Sequence, residues 1–322
     1  MRLRFVILAA MAFALSAGPA IGQTTAWPEK PVKLVVGFTP GSATDVTARL
    51  FAQKFTEAWG QTVLVENIPG NSGAIGTDRV AKAAPDGYTL MWAGNAAITI
   101  LPSLQTLPFD PVKDFAHIST ALSTASILFV NNDLPVKSLA ELIAYAKANP
   151  GRLSYGSPGV GTPQHIAGEL LCMLAGIKME HIPYRGANLT DVMSGVVPVG
   201  IQNAGASMPF VRDGRVRGLA ITSLKRASAA PDLPTVAEQG YPGFEATSWF
   251  ALLAPAGTPQ PILDKVRAAS LKVLADPEML KRLAAIGLEP VGSTGAETKA
   301  AIVADIPKWA KVIKDAGIKI DK

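Results

Sequence analysis

The chain has 322 residues, 48% of them hydrophobic and 17% charged, which is length for about two domains and too apolar for disorder. A single cysteine, Cys172, excludes an internal disulfide and any cysteine-built zinc or iron–sulfur centre. The net charge of +5 comes from 30 lysines and arginines scattered without runs, so it describes a solvated basic surface and no nucleic-acid partner.

The first residues carry the pattern of an export signal. Arg2 and Arg4 precede an apolar stretch from Phe5 to Leu15, and Ala20 and Gly22 supply small side chains before a cut near Gly22–Gln23. The expectation is a leader over residues 1–22, periplasmic location and a chain not embedded in the membrane. From there β-type runs alternate with helical patterns, the signature of an α/β fold. Residues 32–38 read as a buried strand that runs into Thr39-Pro40-Gly41-Ser42-Ala43-Thr44-Asp45 and a helix ending near Trp59. Strands at 62–66 and 88–92 bracket a glycine-rich loop and a helix through Val80. Ser138 opens a helix with a capping-box pattern that stops at Asn149-Pro150-Gly151. A short strand at 153–156 leads into Ser157-Pro158-Gly159-Val160-Gly161 and a helix with Thr162 at its N-cap and Pro163 at its first position. Further strands are expected at 180–184, 196–203, 216–222 and around 248–253. Three closing helices begin at Thr258-Pro259, Asp276-Pro277 and Thr294.

Two of these junctions can bind an anion. In each, a loop of glycines and small hydroxyls feeds a helix N-terminus, whose unpaired N–H groups and dipole favour negative charge. The first contains Gly41, Ser42 and Thr44; the second contains Ser157, Gly159, Gly161 and Thr162. Neither matches a nucleotide fingerprint, so a carboxylate held by neutral donors fits better than a polyphosphate. Ordinary strand-to-helix turns would show the same pattern. Catalytic constellations are scarce: His117, His165 and His181 are far apart, and Ser154 and Ser157 lie in no nucleophile elbow. His165 and Glu169 have a metal-compatible spacing but no third ligand, so no metal, no cofactor and no enzyme are expected. Trp249 and Phe250 read as core.

Taken in order, the motifs resemble the Bug family of periplasmic solute receptors, the binding components of tripartite tricarboxylate transporters. The resemblance rests on Trp27-Pro28-Glu29-Lys30-Pro31-Val32, Phe38 to Asp45, Val65-Glu66-Asn67-Ile68-Pro69-Gly70, Pro85 to Leu90 and Phe109 to Phe115. It continues through Gly161 to Glu169, Ile182-Pro183-Tyr184-Arg185-Gly186, Leu233 to Glu238, and Ser248-Trp249-Phe250 with Ala254 to Pro259. It implies a two-lobed α/β fold of the type II periplasmic binding protein class, with a ligand cleft between lobes of residues 27–121 plus 247–322 and 122–246. It also implies a small organic acid as ligand, membrane transporter subunits as partners, and a monomer. The ligand-facing set implied by the resemblance is Phe38, Thr39, Pro40, Gly41, Ser42, Thr44, Asp45, Asn95, Ser157, Gly159, Gly161, Thr162, His165, Tyr184, Arg185 and Asn203. Within it, backbone groups of Gly41, Ser42, Gly159 and Gly161 would hold the carboxylate, while Asp45 would order its own loop. Three departures stand out: Gly41-Ser42 replaces paired glycines, the segment after Tyr184-Arg185-Gly186 is about two residues short, and Gln202-Asn203 stands where an aspartate is frequent. Amides in place of an acid disfavour amino-acid ligands. A ligand-presenting signalling receptor and an exported hydrolase are the alternative readings.

Overall fold

The computed structural model describes residues 27–184 and 188–318; the expected leader, Arg185 and Gly186 lie outside them. In chain order the strands and helices are β1 (Val32–Val36), α1 (Ala43–Trp59), β2 (Val63–Asn67), α2 (Ala74–Ala81), β3 (Thr89–Gly94), β4 (Phe115–Thr124), β5 (Ser126–Val130) and α3 (Leu139–Ala148). There follow β6 (Ser154–Ser157), α4 (Pro163–Ala175), β7 (Glu180–Pro183), α5 (Leu189–Met193), β8 (Val199–Asn203), α6 (Ala204–Arg212) and β9 (Arg217–Ile221). The chain closes with β10 (Ser248–Pro255), α7 (Gln260–Ala275), α8 (Pro277–Ala285), β11 (Glu289–Pro290) and α9 (Gly295–Ala316).

The strands form two sheets. The first has the order β11-β4-β10-β3-β1-β2 and the second β7-β6-β8-β5-β9. Pairing is parallel for β1 with β2 and β3, and for β6 with β7 and β8. Each sheet is covered on both faces, as parallel sheets require. On one face of the first sheet Phe51 and Phe55 of α1 pack with Trp92, whose indole N–H donates to Thr47 Oγ1 at 2.9 Å. Each of those buried rings contributes about 1.5–3 kcal/mol.

The chain crosses between the sheets first where β4 runs through Ala125 into β5, and returns through Thr247 into β10. These crossings lie side by side: Ser248 pairs with Thr124, and Thr222 bonds Ser126 and Ala246. A third connection is α9. Its Ile302 packs under the first sheet, whereas Trp309, Val312 and Ile313 belong to the core of the second, with Pro307 between the two groups.

The lobes also touch at two glycines. A Cβ on Gly205 of α6 would stand 1.9 Å from the Ile286 carbonyl oxygen, and one on Gly287 would stand 2.4 Å from Gly205 N. Thr124 Oγ1 holds the Gly287 carbonyl at 2.8 Å. Gly205→Ala therefore wedges the lobes apart at a backbone contact. We expect it to cost about 1–3 kcal/mol in thermal unfolding and to enlarge the radius of gyration in small-angle scattering, with the far-ultraviolet dichroism unchanged.

Candidate functional site

The first loop is built around one carboxylate. Asp45 accepts hydrogen bonds from Gly41 N at 2.9 Å, Arg49 Nε at 3.0 Å and Asn67 Nδ2 at 2.8 Å, and the Arg49 Nη2–Asp45 Oδ1 ion pair is 3.0 Å. Burial pushes the Asp45 carboxyl upward, but Arg49, the Gly41 N–H and Asn67 outweigh it and hold it below the usual range. Gly41 reaches this position with φ of 81°, in the left-handed region that favours glycine. Ser42 caps α1, accepting from Asp45 N at 3.2 Å. The Gly41 N–H, expected to meet a ligand, is thus committed to Asp45, as is the Ser42 oxygen to the helix start. Left over are the N–H groups of Ala43 and Thr44, the first two of the helix, which have no intrahelical acceptor. Phe38 packs its ring over Gly73 and Gly94 and gives its carbonyl to Asn67 Nδ2. Thr39 and Pro40 are exposed at the loop tip. Asn95, buried at the end of β3, donates to the Thr247 carbonyl at 3.0 Å and so ties β3 to the returning crossover.

The second loop rests on two stacked imidazoles. The His165 and His181 rings lie 3.8 Å apart with planes 13° from parallel. His165 Nδ1 accepts the Gly161 N–H at 3.1 Å, and His181 Nε2 stands 2.7 Å from Ser157 Oγ. The Ser157 hydroxyl also accepts from Gly159 N at 3.2 Å, and Thr162 Oγ1 donates to the Gly159 carbonyl at 2.7 Å. Beside the rings, Tyr155 donates to Glu169 Oε1 at 2.7 Å. Burial, with the His181 ring beside it, pushes His165 down to about 3; burial pushes His181 down to about 4. Both are neutral at neutral pH. Expected at the cleft, His165 is instead turned inward, because its ring fills the space beneath the loop. Tyr184 hydrogen-bonds Ser157 O through its backbone N–H and Asp191 through its hydroxyl at 2.7 Å.

The structure brings Gly41 and Asn203 to one interlobe cavity of about 270 Å³. Ala43 of α1 lines it from one lobe and Gly205 and Ala206 of α6 from the other, with Val46, Ile286 and Leu288 as apolar wall; among the described residues no charged side chain lines it. Ser157, Gly159, Gly161 and Thr162 do not line this cavity; their loop approaches the first lobe at Leu104, which a Cβ on Gly161 would meet at 3.4 Å. Three residues absent from the sequence-based set join Asn203 at the seam. Gln164 Nε2 donates to Asn203 Oδ1 and to Ser126 Oγ at 3.1 Å, and Ser248 Oγ is 3.5 Å away. The one sequence signal for them is position: Gln164 follows the Thr162-Pro163 cap, and Ser126 and Ser248 follow or begin crossovers.

The imidazole pair makes a pH prediction. Unfolded, both rings take up protons near 6.5; folded, they resist until about 3 and 4. The contribution is therefore complete above the unfolded value and is lost as pH falls toward the folded ones, at up to about 1.4 kcal/mol per pH unit per ring. Urea unfolding between about pH 7 and pH 5 should show falling stability, and the slope should shrink in His181→Gln. An equal slope in that variant would contradict the assignment. Ser157→Ala, which removes the partner of His181, should lower the unfolding free energy by about 1–3 kcal/mol by the same measurement.

A profile of the family described as tripartite tricarboxylate transporter family receptor matches residues 47–318. BugT of Bordetella pertussis is 35% identical over 326 residues, spanning 99% of this chain and 98% of BugT. Among solved structures, R. palustris Rpa4515 with adipate is 37% identical with a TM-score of 0.81, covering 91% of this chain and 99% of that one. Periplasmic binding protein BugD is 34% identical with a TM-score of 0.78, at 91% and 99% coverage. The two-sheet α/β architecture, the interlobe cavity and these likenesses agree: the chain belongs to the tripartite tricarboxylate transporter receptor family, of solute-binding receptors and not enzymes.

Proposed function

We propose that this chain is a periplasmic receptor that captures a small organic carboxylate between its lobes and hands it to the membrane subunits of a tripartite tricarboxylate-type transporter. The lobes are residues 27–121 plus 247–322 and 122–246, except that Leu122–Thr124 complete β4 in the first sheet and the end of α9 is shared. One observation carries the reading: the interlobe cavity offers the start of α1, the start of α6 and an asparagine amide, and among the described residues no charged side chain lines it. Neutral donors at helix N-termini suit a carboxylate. Rpa4515, recorded with adipate, supports a dicarboxylate.

Ligand binding favours the closed arrangement because only there do groups of both lobes reach the solute. The Ser157–Thr162 loop, Tyr184 and Arg185 complete the ligand-facing set in this proposal. The receptor acts as a monomer in the periplasm once residues 1–22 are removed, and BugD's description as periplasmic supports that location. Among the described residues no helix is long and apolar enough to cross a membrane.

A thermal-shift panel of mono-, di- and tricarboxylates and aromatic acids tests the reading. A true ligand at a hundred times its Kd should stabilise the chain by about 2.7 kcal/mol. Asn203→Ala should then weaken that ligand about ten- to a hundredfold in calorimetric titration. A panel in which no acid shifts the melting temperature would overturn the proposal. The mature protein purified from periplasm should begin at Gln23.

A further inference from the structure

Asn203 closes β8 at the seam between the lobes, and its side-chain amide is one half of a coupled pair. Gln164 Nε2 donates to Asn203 Oδ1, and Ser126 Oγ stands 3.5 Å from the same oxygen. Gln164 is only 4% exposed and sits in the first turn of α4, behind the Thr162 cap, so its amide has no solvent to turn to. The oxygen of Asn203 is therefore taken up inside the protein. Among the described residues no acceptor meets Asn203 Nδ2, which leaves the NH₂ arm for the cavity that Asn203 lines.

An amide carries an acceptor on one arm and donors on the other, whereas a hydroxyl can donate or accept. Ser126 and Ser248 can thus serve either orientation of the pair and impose none. In the structure Gln164 turns its NH₂ arm to Asn203 Oδ1, and a residue 164 without a donor would call for the opposite arm of Asn203. We infer that Gln164 is a positioning residue that sets ligand selection: by occupying Asn203 Oδ1 it makes this wall of the cavity a donor surface. That wall prefers a solute whose far end is a second carboxylate over one whose far end is an ammonium. The inference rests on the carboxylate reading above. It extends that reading by assigning the direction of selection to a side chain that does not line the cavity.

Adipate and 6-aminohexanoate, which differ in one end group, are the probes, titrated by calorimetry into the full chain and its variants. The unaltered chain should prefer adipate. Gln164→Glu replaces the donor with an acceptor, turns Asn203 Nδ2 inward and presents Oδ1 to the cavity. The adipate preference should then fall about tenfold or more, with 6-aminohexanoate gaining affinity in absolute terms. Because the new carboxylate also repels adipate directly, the same substitution is repeated in Asn203→Ala, where it should no longer shift the preference. An unchanged preference in Gln164→Glu overturns the inference, and so does a full shift that persists in the Asn203→Ala background. Should Gln164→Glu fail to fold by circular dichroism, Gln164→Met carries the test: it frees the Asn203 oxygen, so the preference must narrow, and an unaltered ratio overturns the inference. Either failure leaves the carboxylate reading standing. Binding of neither probe by the unaltered chain overturns this inference and leaves the carboxylate reading to the wider panel of acids.

Discussion

An α-helix leaves its first N–H groups without partners, and the rest of this molecule is arranged around where those groups are delivered. Parallel strands place the following helix starts at the carboxyl edges of their sheets. Here α1 follows β1, α4 follows β6 and α6 follows β8; the starts of α1 and α6 line the interlobe cavity, and Gln164 in the first turn of α4 reaches Asn203 beside it. The crossovers at Ala125 and Thr247 hold the sheets in that relation. No cationic side chain is needed to make such a seam attractive to an anion.

A seam lined with open donors would be poorly defined without support, and each loop supplies its own. Asp45 consumes the Gly41 N–H and is itself enclosed by Arg49 and Asn67. His165 consumes the Gly161 N–H, and His181 meets the Ser157 hydroxyl. Removing a partner from such a buried set costs more than its hydrogen bond contributes, because the remaining group stays unsatisfied. The conspicuous glycines and hydroxyls of the two motifs thus shape their loops, and the N–H groups left over are those of plain residues such as Ala43.

Local chemistry made much of the architecture legible. Ser42 with Asp45, Thr162 with Pro163, and Thr294 with Glu297 mark helix starts where they occur, and Gly60 and Gly176 end helices in the left-handed conformation. The long run of β4 and β5 escaped because Phe115–Thr124 is rich in serine and threonine and lacks clean alternation, although it is the spine joining both sheets. Helix α6 escaped because Gly205 and Pro209 lower its apparent helicity; the glycine is there for contact with the other lobe. The stacked histidines and the Gln164–Asn203 pair are tertiary contacts between residues 16 and 39 positions apart. No local pattern announces them.

The final helix has a mechanical consequence. Rooted by Ile302 beneath one sheet and by Trp309, Val312 and Ile313 beneath the other, α9 is a strut clamped at both ends across the joint. Any rotation of one lobe on the other must either unseat a clamp or flex the strut. Pro307 lacks the N–H for one rung of the helix and sits between the clamps, which makes it the compliant point. The joint is thereby sprung: the angle between the lobes is limited by how far this helix bends, and not by the two crossing strands alone.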